Sequence, residues 1–342
     1  MRFRRAMGLL AILALLVAAC GDDTASTTTA ATTTTAATPI KIALVRQLGS
    51  GDYFEQWQAG AVAEAERLGV DLQIFNAEGD NAKQALDMES AVNAGVDAIA
   101  VDHGFPETMQ PAIAAALAAG IPVAAFDVDA ADARVPQIEQ SDHLLAQLAL
   151  DQMVADIGGQ GDVIYVYVAG FAPLDRRNET WVQVKADNPG INEVAQIGVV
   201  NDSIAASVAD QAKAALQANP NVVAIFAPFD EFAKGAVLAI EELGLQDQVK
   251  VYGADISTAD IAVMTETNSP WVATAATDPA NVGAVTIRAA YLLATGGTVP
   301  ASVIVTPALI TQGVLLAQGV ANMEALRVAF PGLSTPDLIP VP

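Results

Sequence analysis

The sequence predicts an α/β fold made of two doubly wound lobes, each built around a parallel β-sheet. Short apolar runs alternate with helical segments along most of the 342 residues, and glycine-bearing turns separate them. The alternation starts afresh near residue 142, which indicates a second lobe of similar size. Three apolar runs end in an aspartate, at Asp127, Asp230 and Asp255. Because ligands bind at the carboxyl ends of strands in open parallel sheets, these three residues mark the candidate site.

The first half of the chain is predicted to contain four strands and three helices. Apolar residues recur at helical spacing between Phe54 and Leu68, so one face of that helix packs on the sheet. Gly120 ends the third helix, because glycine adopts the left-handed conformation that closes a helix at low cost. The predicted strands are 40–45, 71–75, 98–101 and 121–126, and the predicted helices are 54–68, 81–94 and 106–119.

The second half repeats the alternation. A loop at 169–175 is predicted to precede a helix that begins at Arg176. Asp230 directly precedes another helix, so it is either the N-cap of that helix or a ligand-binding residue. The predicted helices are 144–157, 176–185, 203–218, 231–243 and 280–294, and the predicted strands are 163–168, 194–200, 222–227, 249–252, 272–276 and 302–305.

The N-terminal segment is predicted to direct export and lipid anchoring. Three arginines among the first five residues precede an apolar core, 6–19, that is too short to span a bilayer comfortably. The run from Leu16 to Cys20 resembles the bacterial lipobox, in which the cysteine becomes the lipidated first residue of the mature protein. Residues 1–19 are therefore interpreted as a lipoprotein signal peptide. The alternative is an ordinary signal peptide with an incidental cysteine.

Residues 20–38 are rich in Thr and Ala and contain almost no large apolar side chain. Such a segment cannot offset its ordering entropy by burial, so it is interpreted as a tether. The predicted location is the cell envelope, with a globular body held at the extracytoplasmic face of a membrane.

Composition excludes several classes of function. The formal net charge is −23, whereas nucleic-acid binding requires a basic surface. The chain has none of the glycine-rich phosphate-binding motifs and no nucleophile elbow. Its two histidines, His103 and His143, do not have the spacing of a metal site. We therefore expect no cofactor, no metal and no catalysis, although Asp127 and Asp255 could act as paired carboxylates in a glycosidase.

The side chains suited to binding a polyhydroxylated ligand lie near predicted strand ends. Carboxylates accept hydrogen bonds from hydroxyl groups, arginine donates several in a fixed geometry, and aromatic rings cover the apolar face of a sugar. Tyr53 and Phe54 follow the first strand, whereas Trp57 is interpreted as a core residue. Arg176 and Arg177 lie at a predicted helix start, where a cation is slightly unfavourable, so a functional role is expected for one of them.

Together these features resemble the pentose-type (ribose/xylose) sugar-binding proteins of bacterial ABC importers, over about residues 40 to 305. Besides the lipobox and the tether, the motifs that carry the resemblance are Ile-Ala-Leu-Val in the first strand, Tyr53-Phe54, Gly120-Ile121-Pro122-Val123 with Asp127, Phe226-Ala227 with Asp230, and Gly253 with Asp255. The family is a periplasmic binding protein fold of type I, in which two lobes joined by three crossovers close on one sugar. The resemblance implies that the crossovers lie near 141–142, 276–277 and 305–306.

The resemblance also implies domain boundaries. The N-terminal lobe would comprise 39–141 and 277–305, the C-terminal lobe 142–276 and 306–325, and the tail 326–342.

Site residues are carried over from the family one by one. Phe54 matches a residue that stacks on the sugar, and Tyr53 is its neighbour. Asp127 matches the hydroxyl acceptor of the first lobe. Arg177 and Asp255 match the donor and the acceptor of the second lobe.

Several positions depart from the ribose-type pattern. The arginine after the first aspartate is replaced by Val128, the asparagine before the second by Phe229, and an aromatic residue by Ala254. The glutamine near the hinge is replaced by Thr277. Phe229 and Thr277 are retained as candidate ligand contacts, together with His103 after the third strand. Ribose itself is therefore not the expected ligand.

The resulting hypothesis is a non-catalytic, monomeric lipoprotein that captures a small neutral sugar or polyol by hinge closure and delivers it to an ABC permease. The alternative is a receptor of the same fold that passes ligand information to a membrane signalling protein.

Overall fold

The computed structural model describes residues 39–335 and 338–341, which form two α/β lobes with one six-stranded sheet each. The fold class predicted from the sequence is confirmed. The predicted signal peptide, Cys20 and the tether lie outside the described residues.

Six strands form the sheet of the first lobe: β1 (Lys41–Arg46), β2 (Asp71–Asn76), β3 (Ala98–Asp102), β4 (Val123–Phe126), β5 (Gln137–Glu139) and β11 (Ser302–Ile304). All neighbouring strands are parallel, in the order β2, β1, β3, β4, β5, β11. β1 lies inside the sheet, with Ile42 opposite both Leu72 on β2 and Ala98 on β3. Its apolar side chains are consequently buried on both faces.

Six strands form the sheet of the second lobe: β6 (Gln160–Val166), β7 (Gly190–Ile197), β8 (Val222–Ala227), β9 (Lys250–Ala254), β10 (Trp271–Ala276) and β12 (Ala308–Thr311). Their order is β7, β6, β8, β9, β10, β12, and only β12 is antiparallel to its neighbour. The two sheets therefore share one strand order, in which β4 and β9 occupy equivalent positions, and they differ in the direction of the edge strand.

Helices cover both faces of each sheet. They are α1 (Asp52–Leu68), α2 (Asn81–Asn93), α3 (Pro106–Ala118), α4 (Asp142–Ile157), α5 (Ala172–Asp187), α6 (Ile204–Ala218), α7 (Asp230–Leu243), α8 (Thr258–Thr265), α9 (Pro279–Ala294), α10 (Gln312–Gln318) and α11 (Met323–Ala329), followed by a 3-10 turn, Pro331–Leu333. In the first lobe α1 packs on α9, and in the second lobe α4 packs on α5 and α6 on α7. Across residues 39–335 and 338–341, no helix combines the length and apolar character needed to cross a membrane.

The chain passes between the sheets at three neighbouring places. These are residues 140–141 between β5 and α4, residues 277–278 between β10 and α9, and residues 305–307 between β11 and β12.

One helix boundary predicted from the sequence is wrong. The helix that carries Arg176 and Arg177 begins at Ala172, because Pro173 lies in its first turn, where a missing N–H costs no hydrogen bond. Both arginines consequently lie one turn inside α5. The expectation that they sit unfavourably at a helix start is wrong for the same reason.

Several short elements were not predicted, among them β5, α8, β12, α10 and α11. β5 is the tripeptide Gln-Ile-Glu and contains a single apolar residue. It forms a strand because it pairs with β4 on one side and β11 on the other. Such pairing is a tertiary effect that local periodicity does not carry.

The C-terminal segment leaves the second lobe and packs on the first. Arg327 on α11 donates two hydrogen bonds to Asp278 at the start of α9, at 2.6 and 2.9 Å. Asn281 on α9 and Thr335 exchange two more, at 2.7 and 3.2 Å. Ile339 is buried beside this helix, and its carbonyl accepts from Arg288 at 3.3 Å.

Two glycines allow the backbones of α1 and α9 to come into direct contact. A Cβ atom on Gly60 would lie 2.0 Å from the carbonyl oxygen of Ala280, and one on Gly283 would lie 2.1 Å from that of Trp57. No side chain fits at either position, so the packing of α9 on the first lobe depends on both glycines.

We predict that Gly283→Ala lowers the free energy of unfolding by about 1–3 kcal/mol, since the added methyl group must push two helix backbones apart. Helix propensity alone would favour alanine by up to about 1 kcal/mol. Gly313→Ala on α10 is the matched control, because no atom lies within 4 Å of its Cβ position. Urea denaturation measures both variants, and equal stabilities would contradict the importance of this contact.

Candidate ligand-binding site between the lobes

A cavity of about 420 Å³ lies between the two lobes at the carboxyl ends of their strands. The first lobe and its first crossing contribute Leu48, Tyr53, Phe54, His103 and Gln140. The second lobe contributes Phe171, Pro173, Leu174, Arg177, Val200, Phe229 and Asp255.

Three residues that follow strands adopt the left-handed backbone conformation. His103 after β3, Asp127 after β4 and Asp255 after β9 have φ values of 56°, 51° and 73°. This conformation is unfavourable for residues other than glycine, and it concentrates at functional sites. Asp127 and Asp255 are equivalent in the two lobes, and each donates its backbone N–H to the neighbouring strand. The same strained turn therefore places a buried carboxylate at the cleft from each side.

Asp142 is the buried anion that organises the arginines of α5. Its Oδ2 accepts from Arg176 Nε at 2.9 Å, and its Oδ1 accepts from Arg177 Nε at 2.8 Å. Arg176 also reaches across the cleft, where its Nη2 donates to Asp127 Oδ1 at 2.5 Å. Arg176 thus links the lobes directly.

Arg177 is fixed by three acceptors within the second lobe. Besides its bond to Asp142, its Nη1 donates to the carbonyl oxygen of Pro228 at 2.7 Å and to Asp255 Oδ2 at 3.2 Å. Burial raises the pKa of Asp255, and the charge of Arg177 opposes that rise. Arg177 therefore lines the cavity as a rigid cation beside a rigid acceptor.

A second network lies behind the first-lobe wall. Arg46 at the end of β1 donates to Asp102 Oδ2 at 2.8 Å, and His103 Nδ1 lies 2.6 Å from Asp102 Oδ1. Because a carboxylate only accepts, Nδ1 carries the hydrogen. Burial by itself lowers the pKa of His103, but the hydrogen bond to Asp102 raises it above its ordinary value. His103 Nε2 lies 4.0 Å from Asp127 Oδ2, so the two networks meet at Asp127.

The hinge contributes a fixed amide. Thr277 Oγ1 donates to Gln140 Oε1 at 2.6 Å, and Gln140 Nε2 donates to Asp255 Oδ1 at 3.3 Å. Gln140 lies at the first crossing and Thr277 at the second. Gln140 therefore supplies an amide group at the hinge. Thr277 occupies the position at which the ribose-type pattern has a glutamine.

Two buried polar atoms at the site have no hydrogen-bond partner within the described chain: Tyr53 Oη and Asp127 Oδ2. Burial raises the pKa of Tyr53, and the carboxylates of Asp255 and Asp127 raise it further. Leaving such groups unpaired costs about 1–3 kcal/mol each. A ligand with several hydroxyl groups would remove that cost.

The other part of the cavity wall is apolar. Leu48 from the loop after β1 and Val200 from the loop after β7 lie there with Phe171 and Leu174. Phe229 approaches Phe54 across the cleft, with ring centroids 6.1 Å apart. Leu48, Phe171 and Val200 also line a wider groove that is open to solvent, whereas Gln140 and Arg177 both bond to Asp255. The cavity thus has a polar end, formed by charged and amide groups, and an apolar end beside that groove.

The lobes also meet at the start of α1. Asp230 Oδ2 accepts the backbone N–H of Tyr53 at 3.2 Å, and Lys234 donates to Asp52 at 2.6 Å. Gly51, the N-cap residue of α1, has no side chain, so a carboxylate of the second lobe takes that role. Asp230 is the first residue of α7 and does not act as its N-cap, which is Phe229.

The structure brings most of the predicted site residues together. Tyr53, Phe54, His103, Arg177, Phe229 and Asp255 line the cavity. Asp127 and Thr277 lie directly behind this lining, bonded to Arg176 and Gln140. Trp57 is fully buried and stacks on Phe126, with ring centroids 5.5 Å apart. Its interpretation as a core residue agrees with the structure.

Sequence reasoning did not select Gln140, Asp142 or the apolar lining. The sequence predicts Asp142 only as a crossover position, because its bonds to Arg176 and Arg177, 34 and 35 residues along the chain, leave no local signal. No local pattern distinguishes Leu48 and Val200 from other loop residues.

Within residues 39–335 and 338–341 no group of three or more His, Cys, Asp or Glu side chains could hold a metal ion. Asp127 and Asp255 are each bonded to an arginine, on opposite sides of the cleft.

A family model described as a periplasmic binding protein domain matches residues 42–298. Among curated proteins, the chain is 27% identical over 194 residues to the ribose import binding protein of Bacillus subtilis (strain 168). The aligned region covers 56% of this chain and 62% of that protein. The chain therefore aligns with less than two thirds of that relative. Its counterpart from Escherichia coli (strain K12) is 28% identical over 216 residues, covering 63% of this chain and 72% of that protein.

Solved structures resemble the chain more extensively. A 5-methylthioribose transporter solute-binding protein from Thermotoga lettingae TMO, crystallised with 5-methylthioribose, is 44% identical, with a TM-score of 0.87. The match covers 88% of this chain and 96% of that one. A sugar ABC transporter protein from Yersinia enterocolitica is 31% identical, with a TM-score of 0.85, and the match covers 88% of this chain and 92% of that one.

The stability of the ligand-free protein should depend on the ionisation of Asp127. Burial raises the pKa of this carboxyl from 3.8 to about 7, and Asp142 adds to the rise. Protonation of Asp127 stabilises the folded state, because the folded state holds the proton more tightly than the unfolded state. This stabilisation is fully present below about pH 4 and is lost as the pH rises through 7. The unfolding free energy of Asp127→Asn, relative to wild type, should therefore increase between pH 4 and 7 by at most about 1.4 kcal/mol per pH unit.

Urea denaturation at several pH values measures this difference. Asp132→Asn is the control, since a hydrogen bond from Arg134 holds the pKa of half-buried Asp132 at about 2, below the tested range. Parallel curves for wild type and Asp127→Asn would mean that Asp127 is ionised throughout.

Proposed function

The chain belongs to the periplasmic binding protein family, and from that premise we propose that it is the solute-binding protein of an ABC importer for a ribose-type sugar that carries an apolar substituent. The ligand that fits best is 5-methylthioribose. The observation that carries this proposal is the division of the interlobe cavity into a polar end and an apolar end.

The polar end suits the hydroxyl groups of a pentose. Asp255 is an acceptor, Arg177 a donor, and Tyr53 Oη is buried without a partner in the described chain. Asp127 stands behind His103 as a further buried acceptor. Removing one charge-assisted hydrogen bond costs about 1.5–3 kcal/mol, so these groups supply both affinity and orientation.

The apolar end disfavours an unsubstituted sugar. A hydroxymethyl group beside Leu48, Phe171 and Leu174 would lose its hydrogen bonds to water without gaining others. A methylthio group is apolar and polarisable, and sulfur packs favourably against aromatic rings. The solved relative with 44% identity was crystallised with 5-methylthioribose, which agrees with this assignment.

Capture would occur by closure of the two lobes. In this proposal the first lobe (39–141 and 277–305) and the second (142–276 and 306–325) rotate about the crossings, and ligand contacts from both sides favour the closed form. The contacts between Arg176 and Asp127 and between Asp230 and Tyr53 would break on opening. The closed protein, acting as a monomer, would then deliver its sugar to a membrane permease.

We predict that 5-methylthioribose binds about five- to thirtyfold more tightly than ribose, since burial of the methylthio group is worth about 1–2 kcal/mol. Isothermal titration calorimetry measures both affinities. The nearly isosteric change Val200→Thr should reduce the preference about three- to tenfold, because it places a hydroxyl in the apolar end.

Val182→Thr is the matched control, since Val182 is exposed on α5 and should leave the preference unchanged. Equal affinities of the wild-type protein for the two sugars would overturn the ligand assignment, whereas binding of neither sugar would overturn the site.

We also propose that Cys20 anchors the protein to a membrane. The full chain, expressed in a bacterium that lipidates exported proteins, should fractionate with membranes, whereas Cys20→Ala should be released. Thr28→Ala, in the same predicted tether, should remain with the membranes. Retention of Cys20→Ala in that fraction would refute the anchor.

A further inference from the structure

A larger groove adjoins the cavity on the solvent side of the cleft and is here named the outer groove. It encloses about 1460 Å³ of space open to solvent, between the first-lobe loops after β1 and β2 and the second-lobe loops after β6 and β7. The two spaces share three lining residues, Leu48, Phe171 and Val200.

The shared residues determine what can pass from one space to the other. All three are apolar, and all three belong to the apolar end of the cavity. Phe105 and Val168 extend this apolar surface outward, and the ring of Phe105 lies 4.8 Å from that of Phe171 across the cleft. A substituent in the apolar end of the cavity therefore points along an apolar path into the outer groove.

A buried acceptor lines the groove without a partner. Gln47 is 1% exposed, and its Nε2 donates to the carbonyl oxygen of Gly79 and to Asn81 Oδ1, both at 3.2 Å. Because both partners are acceptors, the orientation of the amide is fixed. Gln47 Oε1 has no hydrogen-bond partner within the described chain, and a donor from a ligand would satisfy it.

The charge of the outer groove has one sign. Glu55, Glu78 and Asp202 contribute three carboxylates, and none of the residues that line this groove in the described chain is Lys or Arg. All three acidic residues are exposed at the rim. The groove therefore favours a cationic group and disfavours a carboxylate.

We propose that the outer groove is a second subsite, which accepts an alkyl chain attached through the 5-thioether of the sugar and ending in an ammonium group. The path begins at Val200 and Phe171, passes Gln47 and ends among the rim carboxylates. This inference rests on the proposed function, because it takes the ribose ring to be bound at the polar end of the cavity. It extends the ligand class from 5-methylthioribose to longer 5-(aminoalkyl)thioribosides.

Calorimetry with four synthetic ligands on the full-length wild-type protein tests the subsite. The ligands are ribose, 5-methylthioribose, 5-(4-aminobutylthio)ribose and 5-(3-carboxypropylthio)ribose. We expect the aminobutyl compound to bind at least as tightly as 5-methylthioribose and at least about tenfold more tightly than the carboxypropyl compound. The preference for the amine should weaken as ionic strength rises, because the rim carboxylates are exposed.

The double variant Glu78→Gln with Asp202→Asn should reduce the preference for the amine at least about threefold and leave the affinity for 5-methylthioribose unchanged. Glu89→Gln, which removes an exposed carboxylate outside the groove, should change neither.

The outcomes separate the two proposals. Normal binding of 5-methylthioribose with a more than tenfold loss for the aminobutyl compound would overturn the subsite alone. Equal affinity for the amine and the carboxylate would overturn the ammonium assignment. Failure of 5-methylthioribose to bind better than ribose would overturn the proposed ligand instead.

Discussion

The charged groups around the cavity depend on the buried carboxylate of Asp142. It binds Arg176 and Arg177 at once, and through them it fixes Asp127 on one side of the cleft and Asp255 on the other. Removing one member of such a buried group leaves a partner uncompensated, which costs several kcal/mol. Asp142 also begins α4, where a negative charge is favourable, so the same residue ties the arginines to the first crossing of the chain.

The three carboxylates of this group outnumber its two guanidinium groups, and the imbalance is chemically useful. Burial together with repulsion from Asp142 raises the pKa of Asp127 to about 7, although Arg176 lies beside it. Near neutral pH Asp127 can therefore donate a hydrogen bond as the acid or accept one as the carboxylate, so it can pair with either side of a hydroxyl group. At the apolar end no such groups line the wall, so the cavity distinguishes the two ends of a ligand and fixes its direction.

Periodicity and strand endings predict much of both sheets and most helices, and the family resemblance then selects residues that line the cavity, such as Arg177, Phe229 and Asp255. These features have local signals, since Asp127 and Asp255 follow recognisable apolar strands. Gln140 and Asp142 gain their roles only when the crossings bring three distant segments together. The predicted start of α5 is wrong because a proline predicts a loop as readily as a first helical turn, and Pro173 occupies the first turn. Leu48 and Val200 lie in loops, whose positions depend on the completed fold.

The pairing of β11 with β5 bears on how a nascent chain can fold. Ser302 lies opposite Gln137, and the whole second sheet except β12 is encoded between them. A fragment ending at residue 141 would lack this edge strand, as well as helix α9, which covers α1, β3 and β4. It would expose an unpaired sheet edge and an uncovered apolar face, both of which promote aggregation. The N-terminal lobe is therefore not an independent folding unit of the emerging polypeptide. It can be completed only after α9 and β11, near the end of the chain, have been synthesised.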